Sequence, residues 1–410
     1  MTSAAISPPA ATRASLVALL LGQLAFGLFA MTLCIPSMQE WPTLLGATQA
    51  QVQLTFSGYV FAYGGFQLIH GPLSDRIGRK PVLLGGMVMA IAGTALAIVA
   101  PDVQWLIAAR VLQGAGTAAG MVVSRALIQD LFGGAQRTRM MAMVGMTMGL
   151  SPPLSTLIGG QLHVQLGWQS NFVLTLVLAL LLLVCAWRVV PAARPTATHD
   201  DAWLGPLVSG YARLLRERVF VLYVVGVAAT TATLYTFMAG APVVLGSYGV
   251  KPQHLGWYIM TVPLPYILGN LMAARLVHRL GDRGLMAVGH GITLVGLALT
   301  LVLALAGVNS PLALVLPLAL MGAGHGLLMP STLAGAVGVI PVLAGSAAAI
   351  AGLMQQMVGA LGGFLVGLVS HQDAVNLASL MLAMGVAGAL SLMLLPKTAQ
   401  GGKGATHGSV

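Results

Sequence analysis

Gly71-Pro72-Leu73-Ser74-Asp75-Arg76-Ile77-Gly78-Arg79-Lys80-Pro81 sets one acid and three bases in eleven residues, in a chain of which only 7% is charged. Apolar runs flank it, Val52 to Ile69 before and Val82 to Ala100 after. A charged turn between two segments of membrane-crossing length must lie outside the hydrocarbon, and its basic excess assigns it to the cytoplasmic side. Gly71 and Gly78 permit close backbone approach and positive φ. Pro72 and Pro81 are expected to mark where one helix ends and the next begins.

The remaining chain follows the same grammar. With 410 residues, 57% hydrophobic content and a mean hydropathy of +0.90, it is not a soluble protein. The net charge of +10 does not imply a nucleic-acid partner, because the bases sit in short gaps between apolar runs rather than on one amphipathic face. The partner implied is the lipid bilayer. Twelve spans are predicted, at 15–36, 50–72, 82–100, 103–131, 139–161, 168–190, 218–246, 253–275, 284–306, 311–336, 342–369 and 374–395. They give an all-α polytopic membrane protein of two six-helix bundles, 15–190 and 218–395. A tail at 1–14, a linker at 191–217 with a short surface helix near its end, and a tail at 396–410 complete the chain. Leu16 to Ile35 is longer than a signal-peptide core and reads as a retained first span. With both termini inside, seventeen of the nineteen Lys and Arg fall on the cytoplasmic side, so N-in/C-in is expected. Arg76-Ile77-Gly78-Arg79-Lys80 has an echo in Arg279-Leu280-Gly281-Asp282-Arg283, at an offset of 203 that also carries Ser15 onto Arg218. Such an offset signals a parallel duplication, with a site near the midplane between the halves.

The Gly71–Pro81 stretch resembles the loop between helices 2 and 3 of the major facilitator superfamily, whose signature is G-x-L-a-D-r-x-G-r-k. The resemblance extends along the chain. Arg110-Val111-Leu112-Gln113-Gly114-Ala115-Gly116 is similar to the span-four signature R-x-x-q-G-x-g, and Gly145 to Gly160 is similar to the antiporter signature of span five. In the latter Gly149, Pro152, Pro153, Gly159 and Gly160 are the matching small or kinking residues, with Thr156 in place of a Pro. The first span, Leu24 to Pro36, has the frame of the Bcr/CflA drug-efflux branch, but Thr32 stands where that branch usually carries Asp. No Asp or Glu lies well inside any span.

The resemblance implies a secondary transporter, not an enzyme, that exports a small organic compound across the bacterial inner membrane by alternating access, coupled to protons. Without an intramembrane acid, neutral or anionic compounds are the expected cargo, such as amphenicol-like drugs or a siderophore. An importer of the same fold and a transport-inactive membrane sensor remain as alternatives. The resemblance further implies a gate brace formed by Asp75 with Arg76 and Arg79, near Arg125 and Asp130, with Asp75 facing the start of span eleven. Arg110 is about 10 Å into its span by helical rise and is read as cavity-lining, with Gln113, Gly114 and Thr117 on the same face. Further candidates for the substrate and proton pathway are Thr32, Gln23, Tyr59, Tyr63, Asn270, Gln355 and His325. His325 is the mid-span group that titrates near neutral pH. Gln67, Thr230, Tyr235, Tyr258, Tyr266 and Gln356, with Met146, Met148, Met238 and Met329, would suit an adaptable cavity. No metal-ligand spacing or cofactor motif is present in the sequence, and a monomer is expected.

Overall fold

A computed structural model describes residues 10–191, 204–370 and 373–396. The predicted tails beyond these bounds and residues 192–203 of the linker lie outside the described residues. The first half consists of α1 (Ala10–Thr32), α2 (Trp41–Leu44), α3 (Gln49–Ile77), α4 (Arg79–Ile98), α5 (Val103–Leu131), α6 (Gly134–Leu166) and α7 (Gln169–Val189). After α8 (Leu204–Arg216), the second half consists of α9 (Arg218–Ser247), α10 (Pro252–Ile259), α11 (Pro263–Leu305), α12 (Pro311–Gly338), α13 (Ala344–Leu368) and α14 (Val375–Met393). Among the described residues nine segments are long and apolar enough to cross a membrane. One of them, Pro252–Leu305, bends back at Gly281, so that Gly269 and Gly289 both press against α12 near Gly324. It therefore supplies two crossings. Helices α3 and α6, of 29 and 33 residues, are also of spanning length but more polar.

Two expectations about boundaries are corrected. Helix α3 runs through Pro72 to Ile77, and the break is at Gly78 alone, with φ 101°. Pro81 is the third residue of α4, where a missing N–H costs nothing because the first N–H groups of a helix have no partner within it. Gly71 has room for a methyl, with Val122 at ordinary contact distance, so the close approach expected there is absent. The predicted eighth span, 253–275, is two helices broken at Met260–Val262, just before Pro263. The carbonyl of Val262 packs directly on Gly322 of α12, which accommodates the break.

The duplication is visible in the backbone. Gly78 and Gly281 have positive φ, as do Gly46 and Gly249, and each pair is separated by 203 residues. The same offset relates the start of α3 at Gln49 to the start of α10 at Pro252. Each half thus turns its chain at equivalent places by the same left-handed glycine, a conformation costly for any residue with a Cβ.

The halves join along two seams. In one, α3 packs on α13: Gly367 meets Ala50 and Gln53, Gly363 meets Phe56, and Gly64 meets Gln356. In the other, α6 packs on α10 and α11, where Gly160 meets Pro252, Gly256 meets Leu157, and Gly149 meets Ile267. Gln39 reaches across to donate to the Pro242 carbonyl. These crossings run from the end of the bundle opposite Gly78 to its middle. Towards the Gly78 end, Arg125 and Arg76 are exposed and the Asp75 carboxyl is half-exposed.

Candidate functional site

The candidate residues separate into a network inside the first bundle and a layer between the bundles. Arg110 belongs to the first. Its side chain has no exposed surface. Nη1 donates to the Ala30 carbonyl at 2.9 Å and to Gln113 Oε1 at 2.5 Å, Nη2 donates to the Met31 carbonyl at 3.1 Å, and Nε points to the Thr55 carbonyl at 3.4 Å. Helix α1 ends at Thr32, so the Ala30 and Met31 carbonyls have no partner further along their own helix. Arg110 supplies one, and its charge sits at the negative end of the α1 dipole. The guanidinium also lies 4.2 Å from the centre of the Tyr59 ring. These contacts make a buried cation tolerable where an unpartnered one would cost many kcal/mol. Arg110 is thus a strut tying α1, α3 and α5 together, neither open to a cavity nor extended to the interface.

The network extends outward from it. Gln113 donates to Thr94 Oγ1 on α4 at 2.8 Å, and Tyr59 donates to the Gly27 carbonyl and shares a hydrogen bond with Thr117, both at 2.7 Å. Thr32 has no exposed surface; its hydroxyl shares a 2.5 Å hydrogen bond with Ser155 of α6. Gln23 is buried against α7, its amide near the Leu182 carbonyl. Of the nine pathway candidates, Arg110, Gln113, Thr32, Gln23 and Tyr59 therefore hold the first bundle together.

The layer between the halves is built from α3, α9 and α13. Tyr63 stacks on Tyr59, and its hydroxyl is buried without a hydrogen-bond partner among the described residues. Beside Gly64 of the same helix is Gln356, which accepts from the Tyr235 hydroxyl at 3.1 Å. Gln355 donates to Thr231 at 2.9 Å, and Tyr235 meets Phe56 edge-on at 6.0 Å. Tyr63 is fourteen residues from the end of α3, Gln356 twelve from the start of α13, and Tyr235 seventeen from the start of α9. By helical rise these positions are about 18–26 Å from the helix ends, near mid-depth. Thr231 and Phe56 were missed by the sequence reading; a lone Thr or Phe in an apolar helix gives no signal until its neighbour is known.

Arg125 was expected in the gate, but its Nη2 lies 3.3 Å from the Met148 sulfur of α6. The charged cluster at this end centres on Arg79, whose Nη1 meets Asp75 at 2.5 Å and Ser74 at 2.6 Å while Nε meets Asp130 at 3.2 Å. Arg79, the first residue of α4, thereby ties together the last turns of α3 and α5. At the opposite end Glu40 meets His163 Nε2 at 3.0 Å. His325 is buried in the second bundle, its neighbour Gly324 packed on Gly289 beside His290. Asn270 is exposed on α11 beside Gly326. Gly159 abuts the Leu33 carbonyl within its own half, and Pro152 and Pro153 lie inside the unbroken α6. No group of three potential metal ligands occurs among the described residues.

The family model described as Major Facilitator Superfamily matches residues 16–363 and, again, 223–408. Multidrug resistance protein D of Escherichia coli is 30% identical over 377 residues, covering 91% of this chain and 93% of that protein. A bicyclomycin resistance protein homolog of Haemophilus influenzae is 25% identical, covering 89% and 91%. A crystal structure of the peptide transporter POT in complex with alafosfalin superposes with a TM-score of 0.73 at 15% identity, covering 93% of this chain and 92% of that one. That likeness concerns the fold. A duplicated bundle of membrane-crossing helices, a charged Gly78 turn of the expected pattern and a family match over most of the sequence lead to one conclusion: this chain is a multi-pass membrane transporter and belongs to the Major Facilitator Superfamily.

Proposed function

We propose that the protein exports small organic compounds, drugs among them, across the bacterial inner membrane by alternating access, with both termini in the cytoplasm and the proton gradient as the driving force. The observation that carries the reading is the position of the inter-half contacts. They close the end opposite Gly78 and stop at the Tyr63–Gln356–Tyr235 layer, while the basic Gly78 end exposes Arg125. A polar layer at mid-depth approached from the basic side fits a carrier that loads from the cytoplasm. Two relatives named for multidrug and bicyclomycin resistance support drugs as cargo. His163, His290 and His325 are the imidazoles through which protons could be exchanged in place of the absent acid. The test is drug movement in everted membrane vesicles. Energised vesicles should accumulate bicyclomycin or a related drug and lose it when the pH gradient is collapsed. Accumulation in right-side-out vesicles instead would make the protein an importer.

A further inference from the structure

Arg110 and Arg125 lie on one helix, fifteen residues apart, in opposite situations. Arg110 has four of its N–H groups directed at protein oxygens. Arg125 is exposed, and its recorded hydrogen bond is to a thioether, a weak acceptor. Among the described residues no carboxylate lies within 4.0 Å of it; the acids that make ion pairs, Asp75, Asp130 and Glu40, engage Arg79 and His163.

The direction of the side chain is informative. Arg125 is six residues from the end of α5 at Leu131, about 9 Å by helical rise. A long basic side chain that close to the interface ordinarily extends towards water. This one goes the other way. Its contact, Met148, is fourteen residues into α6 from the same end, about 21 Å. Tyr63 is at the equivalent depth on α3. The guanidinium is thus held just below the mid-depth layer that contains Tyr63. An exposed cation between the halves, with no carboxylate within 4.0 Å among the described residues, is free to take an anion brought by a ligand. The planar fork of a guanidinium matches two carboxylate oxygens.

We propose that Arg125 binds the transported compound and selects for molecules that present a carboxylate or an equivalent anionic oxygen. The proposal rests on the transport reading above and names the cargo class of that same gap. Met148 supplies an apolar, polarisable contact for the body of such a molecule.

The test uses the full chain in phosphatidylcholine nanodiscs, with nalidixate and its uncharged methyl ester as probes in equilibrium dialysis at neutral pH. The reported quantity is the ratio of the two affinities, which does not depend on the fraction of protein that is folded. Wild type should favour the carboxylate by about tenfold or more. Arg125→Gln should bring the ratio close to one. Arg125→Lys, which keeps the charge without the fork, should fall between. A wild-type ratio near one, or an unchanged ratio in both variants, overturns the proposal. A ratio abolished by adding phosphatidylglycerol overturns it as well, because the cation would then be holding a lipid phosphate. Everted vesicles that move bicyclomycin while the ratio ignores Arg125 would sink this assignment and spare the transport reading; vesicles that move nothing would sink the transport reading.

Discussion

Two arginines on α5 carry the residue-scale argument. Arg110 satisfies the carbonyls at the end of α1, so Arg110→Ala strands the Ala30 and Met31 oxygens in a dry interior. A loss of about 2–4 kcal/mol is expected, because each unpartnered buried group costs about 1–3 kcal/mol. Arg110→Lys should rescue little of it, since an ammonium cannot span α1, α3 and Gln113 together. Thermal unfolding of the solubilised protein measures this; a variant that melts like wild type would remove the strut. Asp75 differs because its carboxyl is half-exposed, so its pairing with Arg79 contributes at most about 1 kcal/mol. Asp75→Asn should insert and fold normally yet transport several-fold more slowly, since a conformational equilibrium responds to differences of that size. Unaltered transport at equal expression would show that the pair does no gating.

At the scale of elements, neighbouring glycines of α6 make a sharp comparison. A Cβ on Gly159 would overlap the Leu33 carbonyl in its own half, and one on Gly160 would overlap the Pro252 carbonyl in the other half. Gly159→Ala should therefore destabilise the first bundle by about 1–3 kcal/mol, the usual cost of overpacking. Gly160→Ala should leave that bundle intact and hinder closure of the end opposite Gly78. The check is maleimide labelling of a cysteine at Ala50, a residue covered by Gly367 when the seam is shut. Labelling should rise in Gly160→Ala and not in Gly159→Ala. The sequence marked both glycines as one packing motif, and it could not say that successive residues on a helix, about 100° apart, face different halves.

For the whole molecule, the orientation follows from the distribution of bases and is open to direct test. In a chain with Cys34 and Cys185 replaced by Ala, a cysteine at Lys251 should react with an impermeant maleimide in intact cells. One at Leu73 should react only after lysis. The reverse pattern would invert the topology and with it the direction of loading. Both sites lie on the protein surface.

The amino-acid sequence by itself determined the class, the two bundles, the turn at Gly78 and its echo at Gly281. Those depend on hydropathy and on glycine, whose effects are local and additive along the chain. It left open which polar residue faces which neighbour. Arg110 reads in the sequence as a cavity-lining cation and Arg125 as a base at the cytoplasmic gate, and only the fold turns one onto the end of α1 and the other towards Met148. Whether a charge is structural or available is decided by the acceptors around it. Those acceptors come from helices distant in the chain, so no local pattern records them.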